Sequence, residues 1–127
     1  MIPVTQTRTG KRGTCMSACI ASILELPVES VPYFGDEDEE FYRNLGIFLK
    51  DYGLFYIQLK PDDPILNLMF QIGPVWHTME GISPRGAMHA CVGLNRQLIH
   101  DPHPQDGTGR GLRTLEHYGL LCARLDR

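Results

Sequence analysis

The stretch GTCMSACIASILELP, residues 13–27, decides the fold that the sequence predicts. Its apolar residues recur at helical spacing, as expected for the buried stripe of one helix: Met16, Cys19, Ile20, Ile23 and Leu24. Thr14 suits the N-cap position, and Pro27 ends the helix. Cys15 is therefore expected in the first helical turn.

Two further helices and a strand are expected in the middle of the chain. The acidic run of residues 36–40 favours the start of a second helix, which would end at Gly53. The segment LFYIQL, residues 54–59, is typical of a strand. Asp63 followed by Pro64 predicts a short third helix. The predicted buried face of the second helix consists of Phe41, Leu45, Phe48, Leu49 and Tyr52.

The second half of the sequence is expected to be mostly strand and turn. Four segments have this character, namely PVWHTME at 74–80, AMHACVGL at 87–94, QLIHD at 97–101 and GLLCARL at 119–125. Short links between them favour antiparallel neighbours. The predicted class is α+β, with N-terminal helices packed on an antiparallel sheet in a single domain that spans residues 1–127.

Composition excludes some classes of partner and location. Twelve Lys and Arg against 15 Asp and Glu give a net charge of −3, so a phosphate-binding basic surface for nucleic acid is not expected. The basic residues Arg8, Lys11 and Arg12 form a local cluster beside Cys15. No segment has the apolar length of a secretory signal or a membrane span, which predicts a cytoplasmic protein. In that compartment the four cysteines are expected to be thiols.

Among these thiols, Cys15 has the position of a nucleophile. A helix N-terminus and a neighbouring imidazolium both stabilise a thiolate, the reactive form of cysteine. Cys19, Cys91 and Cys122 are instead expected to be small packing residues of a helix or strand.

His89 and Asp101 are the predicted partners of Cys15, and their pairing depends on the hairpin register. If the connection centres on Asn95, His89 lies opposite Asp101 on one face of the sheet. If it centres between Asn95 and Arg96, the two lie diagonally and on different faces. In the first register a carboxylate orients the imidazole that serves Cys15. Gln6 is the only Asn or Gln before the first helix and can supply an oxyanion donor.

Three stretches carry a resemblance to a known family: VTQTRTGKRGTCMSACIASILELPVESVP, SPRGAMHACVG and LIHDPHP. Together they resemble the small papain-like cysteine peptidase domains of bacteriophage and bacterial proteins, which are similar in pattern to double-glycine leader peptidases. The resemblance implies a papain-like fold with Cys15 as nucleophile, His89 as base, Asp101 as orienting residue and Gln6 in the oxyanion hole. It implies no cofactor and no resident metal ion.

The function expected on these grounds is hydrolysis or acyl transfer at a peptide or small amide bond, through an acyl-cysteine intermediate. One alternative is an inactive binding module, such as a phage protein that engages a host protein. Another is a metal site built from Cys15, Cys19 and one or two of His89, His100 and His103. The sequence leaves open the oligomeric state and whether His77, His100 or His103 line the cleft.

Overall fold

Helices and strands alternate in the first half of the protein, and strands dominate the second. The computed structural model describes residues 1–9, 14–104 and 109–125. Its helices are α1 Cys15–Leu24, α2 Asp38–Lys50 and α3 Ile65–Ile72, with a 3-10 turn at Val28–Ser30. Its strands are β1 Leu54–Leu59, β2 Trp76–Ile82, β3 Met88–Leu94, β4 Gln97–His100 and β5 His117–Ala123. In the described part of the chain, no helix combines the length and apolarity needed to cross a bilayer.

The five strands form one antiparallel sheet in the order β1-β5-β2-β3-β4, which confirms the predicted α+β class. The expected neighbours β2–β3 and β3–β4 are also confirmed. The last strand is the exception, because β5 lies between β1 and β2 rather than beside β4. There it pairs along the whole of β1, from Leu54 opposite Ala123 to Leu59 opposite Tyr118. In the sheet, β2 and β3 therefore separate β5 from β4.

Helix α1 is buried on nearly all sides, where the sequence predicted a single stripe. Its polar residues find partners inside the protein: the Ser17 hydroxyl donates to the Pro32 carbonyl at 2.6 Å, and the Ser22 hydroxyl accepts from the Val4 amide at 3.0 Å. The helix ends at Glu25, whose φ of 58° is left-handed. The central position of α1 fixes Cys15 at its start.

Thr14 is the N-cap residue of α1, as predicted, but its side chain makes no capping hydrogen bond. Its hydroxyl oxygen instead accepts from the backbone amides of Thr7 and Arg8, each at 3.1 Å. These bonds hold the N-terminal segment against the start of α1. The segment that carries Gln6 is thereby tied to the residue before Cys15.

Two hydrophobic clusters cover the two faces of the sheet. The first packs α1 and α2 against β3 around Ile20, Leu45 and Val92. The second packs α3 through Leu66 against Tyr118 and its neighbours. Because side chains alternate along β5, with Leu121 in the first cluster and Leu120 in the second, the two clusters lie on opposite faces. Of the predicted buried face of α2, Leu45 and Leu49 are fully buried, whereas Tyr52 is 45% exposed.

The β3–β4 hairpin combines a tight turn with a β-bulge. Asn95 and Arg96 both have positive φ, 47° and 77°, and the flanking pair is Leu94 opposite Gln97. This is the register centred between the two turn residues. A bulge at Val92 and Gly93 then shifts the pairing by one, so that Val92 lies opposite His100.

The bulge corrects the expectation that only a turn centred on Asn95 would place His89 and Asp101 on one face. If this shifted register is continued one residue beyond the end of β4, Asp101 lies opposite Cys91. Cys91 and His89 lie two residues apart on β3 and so share a face. One extra residue in the hairpin therefore restores the alignment that the turn alone would prevent.

Candidate active site

His89 and Asp101 form a buried ion pair near the start of β3. The His89 Nε2 atom lies 2.7 Å from Asp101 Oδ1, and each residue is only 4% exposed. His89 extends from the early part of β3, and Asp101 follows the last residue of β4. The pairing predicted from the sequence is confirmed, and the other ring nitrogen remains available to a second group.

Three N–H groups hold the Asp101 carboxylate in place. Oδ1 accepts from the His103 amide at 2.8 Å as well as from His89, and Oδ2 accepts from the Gly111 amide at 2.5 Å. Burial alone would raise the pKa of Asp101, but the hydrogen bonds from His89, Gly111 and His103 hold it well below its ordinary value. The carboxylate stays charged and fixes the orientation of the imidazole.

Gly111 is the last residue of the stretch GTGRG, residues 107–111. Residues 107 and 108 of that stretch lie outside the described residues. Gly111 itself has a φ of 84°, a conformation that favours glycine. Arg110 donates to the Asp101 carbonyl at 2.8 Å. Gly111 and Arg110 therefore hold Asp101 in place by hydrogen bonds to its carboxylate and its backbone carbonyl.

Cys15 lies at the first position of α1 and lines the same cavity as His89. Burial lowers the pKa of His89, but its hydrogen bonds with Asp101, Cys15 and Cys91 outweigh that effect and raise the pKa to about 11. At neutral pH the ring is thus an imidazolium beside the Asp101 carboxylate.

Gln6 is 6% exposed and lines the same cavity as Cys15 and His89. Its backbone amide donates to the Pro102 carbonyl at 2.8 Å, and its side-chain Nε2 donates to the Arg8 carbonyl at 2.6 Å. Because only the NH₂ group of a glutamine side chain can donate to a carbonyl oxygen, the contact with Arg8 identifies the nitrogen end of the Gln6 amide. The second N–H of Nε2 is left to donate elsewhere.

A cavity of about 600 Å³ opens in front of these residues. It lies between the start of α1, the segment that leads into α2, and the β2–β3 hairpin. Its lining includes Gln6, Cys15, Met16, His89 and His103. Asp101 lies behind His89 and is absent from the lining. The sequence-predicted residues are therefore together, three in the cavity and one supporting His89 from behind.

The remaining histidines divide between structure and site. His77 does not line the cavity and is fully buried within β2, where its Nδ1 lies 3.0 Å from the Thr78 carbonyl and its Nε2 accepts from the Arg96 amide at 3.0 Å. His100 faces away from the cavity, with Nε2 2.7 Å from the Val4 carbonyl. His103 is 5% exposed, lines the cavity and packs edge-on against His89 with 6.2 Å between ring centroids.

Cys91 is the site residue that sequence reasoning missed. It was expected to be a packing residue, but it is fully buried with its sulfur within 4.8 Å of a ring nitrogen of His89 and a carboxylate oxygen of Asp101. Burial raises its pKa, and the contact with His89 opposes that rise. The signal was present in the sequence, because strand alternation places residues 89 and 91 on the same face.

A second polar group lies in the same cavity, around Glu80 of β2. The Glu80 carboxylate accepts hydrogen bonds from Tyr56, from Thr78 at 3.1 Å and from Gln58 at 3.1 Å. Burial raises its pKa, and these three bonds oppose the rise. Asp36 and Asp38 line the cavity too, with Arg85 as a basic residue among the lining. The sequence had suggested only a solvated helix start for these acids.

The predicted metal set does not assemble. Cys19 lies fully buried in the core, and burial raises its pKa well above the ordinary value. His100 is bonded to the Val4 carbonyl. Within the described ranges, the metal-ligating side chains that do converge are His89, Cys91 and Asp101.

Comparison with known proteins gives no relative. No protein-family model, no curated protein sequence and no solved structure matches this chain. The functional argument therefore depends on the chemistry of the site.

Proposed function

We propose that the protein is a papain-like cysteine hydrolase or acyl transferase that acts on a peptide or small amide bond. The observations that carry the proposal are the buried His89–Asp101 pair and the position of Cys15 at a helix start, in the same cavity as His89. This cavity has a volume of about 600 Å³. A nucleophile, a base and an orienting group in this order are the parts of a catalytic triad.

Acylation begins when the Cys15 thiolate attacks the substrate carbonyl carbon and a C–S bond forms. The carbonyl oxygen becomes an oxyanion, for which the free N–H of Gln6 and the unpaired backbone amides at the start of α1 are donors. As the C–N bond breaks, His89 gives its proton to the leaving amine. The products of this step are the free amine and an acyl-cysteine.

Deacylation needs His89 as a base, and acylation itself prepares it. The Cys15 charge is one of the groups that raise the pKa of His89. An acylated Cys15 carries no charge, so the pKa of His89 falls in the intermediate. The neutral ring then takes a proton from water, or from another nucleophile, which attacks the acyl carbon and restores the thiol. Asp101 keeps the ring oriented throughout.

The test uses p-nitrophenyl acetate, an activated ester that requires no specific recognition. We expect one p-nitrophenolate to be released rapidly per protein, with the acetyl group located on Cys15 by mass spectrometry. Cys15→Ser removes the burst. The matched control is Cys122→Ser, which alters another partly exposed thiol and leaves the burst intact.

Two results would contradict the proposal. One is acetylation of Cys15 no faster than that of Cys122 in the folded protein. The other is an unchanged burst in His89→Gln. An intact fold without acylation would favour the binding module instead, and a protein partner would then be the ligand of the cavity.

A further inference from the structure

Glu80 is a buried carboxylate in the cavity wall that the proposed reaction does not use. It lies in β2 and is only 5% exposed, yet it lines the same cavity as Cys15 and His89. In the sheet, Glu80 pairs with Ala90, the residue that follows His89 on β3. An acidic side chain is thus built into the wall of the cavity that holds the candidate catalytic residues.

The hydrogen bonds of Glu80 leave one acceptor position open. Its Oε2 atom accepts from the Tyr56 hydroxyl, and also from the Thr78 hydroxyl at 3.1 Å. Its Oε1 atom accepts from the Gln58 amide at 3.1 Å. Because a carboxylate offers about four acceptor positions, two on each oxygen, Oε1 keeps one position for a further donor.

The donors that bind Glu80 do not balance its charge. All three are neutral groups, and a buried carboxylate is costly unless an opposite charge pairs with it. His117 lies opposite Glu80 on β5, outside the cavity lining. The Arg85 guanidinium is in the lining, but it donates to the Gly109 carbonyl. A cationic group of a ligand would supply the missing charge.

An aromatic ring linked to Glu80 also favours a cation. Tyr42 lines the cavity and stacks on Tyr56 with 6.0 Å between the ring centroids. Gln58 connects Tyr42 to the carboxylate, because its Nε2 donates to the Tyr42 hydroxyl at 2.8 Å as well as to Glu80. The face of a tyrosine ring attracts an ammonium or guanidinium group. Tyr42 and Glu80 therefore favour the same kind of ligand.

Two further features of the lining favour a cation that carries N–H groups. Gln6 is 6% exposed, and its Oε1 atom has no hydrogen-bond partner among the described residues. Since Gln6 lines the cavity, a ligand N–H group can satisfy this acceptor. Asp36 and Asp38 line the cavity as exposed residues, so they attract cations from solvent.

We infer that the cavity selects its substrate by a lysine or arginine side chain, which Glu80 and Tyr42 bind. The ammonium or guanidinium group donates to the open position of Glu80 Oε1, and the aliphatic part of the side chain packs on the Tyr42 ring. The substrate is then a peptide or amide with a basic residue at the first or second position of its acyl part. This selectivity rests on the proposed function, whereas cation binding in the cavity does not.

The test measures how fast peptidyl chloromethyl ketones label Cys15, with the label located by mass spectrometry. The reagents carry either lysine or norleucine, which lacks the lysine ammonium group, at the first or the second acyl position. Each rate is divided by the rate of the same reagent with glutathione. We expect lysine to give labelling at least about tenfold faster than norleucine at one of the two positions, as a hydrogen bond between charged groups supplies.

Glu80→Gln should remove this lysine preference, because the amide keeps the shape of the side chain but not its charge. The matched control is Glu116→Gln, which removes the same charge from an exposed residue outside the cavity lining and should keep the preference. Should Glu80→Gln fail to fold, as judged by circular dichroism, a reagent with Nε-acetyl-lysine replaces it. This neutral reagent should label the wild type no faster than the norleucine reagent does.

Three results overturn the inference. They are equal rates for lysine and norleucine at both positions, a lysine preference that survives in Glu80→Gln, and an acetyl-lysine reagent as fast as the lysine reagent. A lysine preference in a protein that gives no burst with p-nitrophenyl acetate upholds the cation site and removes the proposed hydrolase. A burst without the lysine preference does the reverse.

Discussion

His77 and His89 are two buried histidines on neighbouring strands, and their surroundings have opposite effects. His77 is fully buried in β2 between Phe70 and Tyr118, and it accepts a hydrogen bond from the Arg96 amide. His89 is 4% exposed in β3, bonds with Asp101 and lines the cavity together with Cys15. Burial lowers the pKa of His77, whereas the partners of His89 raise its pKa to about 11.

Burial and strand position therefore do not separate a structural histidine from a reactive one. The difference is in what each ring nitrogen contacts. Both His77 nitrogens are engaged by backbone groups, which fixes a neutral ring. One His89 nitrogen bonds a carboxylate, while the ring also contacts thiols at an open cavity. Only the second arrangement can move a proton to and from a substrate.

Replacing His89 by Gln should give the largest effect on chemistry. The amide keeps much of the side-chain volume and some hydrogen bonding, but it cannot exchange the Cys15 proton. We expect the acetylation rate of Cys15 to fall by about 10²- to 10⁴-fold. Rapid-mixing release of p-nitrophenolate measures this rate. A loss below about fivefold would show that His89 is not the base.

Asp101→Asn should lower the same rate by a smaller factor, about 10- to 10³-fold, because an amide holds the ring but does not stabilise the imidazolium. The amide also cannot accept from all of the His103, Gly111 and His89 donors. We therefore expect the free energy of unfolding to fall by about 1–3 kcal/mol. Urea denaturation of both proteins measures this, and an unchanged acetylation rate would leave Asp101 with a structural role only.

His77→Phe should reverse the pattern of His89→Gln. The new ring fits among Phe70 and Tyr118, but the Arg96 amide loses its acceptor. We expect a loss of about 1–3 kcal/mol in the free energy of unfolding, with the acetylation rate of the folded protein unchanged. If the acetylation rate of His77→Phe fell as far as that of His89→Gln, His77 could not be classed as structural and His89 alone as reactive.

The two rings should also give opposite dependences of stability on pH. The pKa of His89 is raised above the ordinary 6.5, so its contribution is complete below about pH 6.5 and declines as the pH rises toward about 11. The pKa of His77 is lowered from 6.5, so its contribution is present above about pH 6.5 and is lost as the pH falls.

This contrast is measured by urea unfolding between pH 5 and 9, with EDTA present, for the wild type and each variant. The stability gap between wild type and His89→Gln should narrow with rising pH, by at most about 1.4 kcal/mol per unit. The gap for His77→Phe should narrow with falling pH. If the stability gap between wild type and variant did not change with pH for either variant, the opposite pKa shifts assigned to His77 and His89 would be contradicted.

Local sequence patterns predicted much of this fold. Strand β1 was placed at its observed bounds, and the helix that opens at Cys15 follows from its apolar spacing and Pro27. Local strand propensity does not indicate where β5 lies in the sheet, because its partner β1 lies more than 50 residues away in the sequence. The bulge at Val92 and Gly93 likewise depends on how β4 meets the rest of the sheet.

The site was predicted less completely than the fold. Cys15 lies in the first helical turn, as expected, and His89 pairs with Asp101, although the bulge rather than the turn aligns them. The role of the Gly111 amide was not predictable, because Gly111 lies 10 residues after Asp101 in the sequence and no local pattern sets that contact. The buried state of His77 was also missed, because apolar neighbours from α3 and β5 enclose it.

The most direct test of the central claim is the pH dependence of Cys15 alkylation by iodoacetamide, with Cys122 of the same chain as an internal reference. If His89 activates Cys15, Cys15 should be modified at pH 6 at least about 100 times faster than Cys122, and His89→Gln should remove that advantage. Equal rates for the two thiols across the pH range, in a protein that remains folded, would contradict the account.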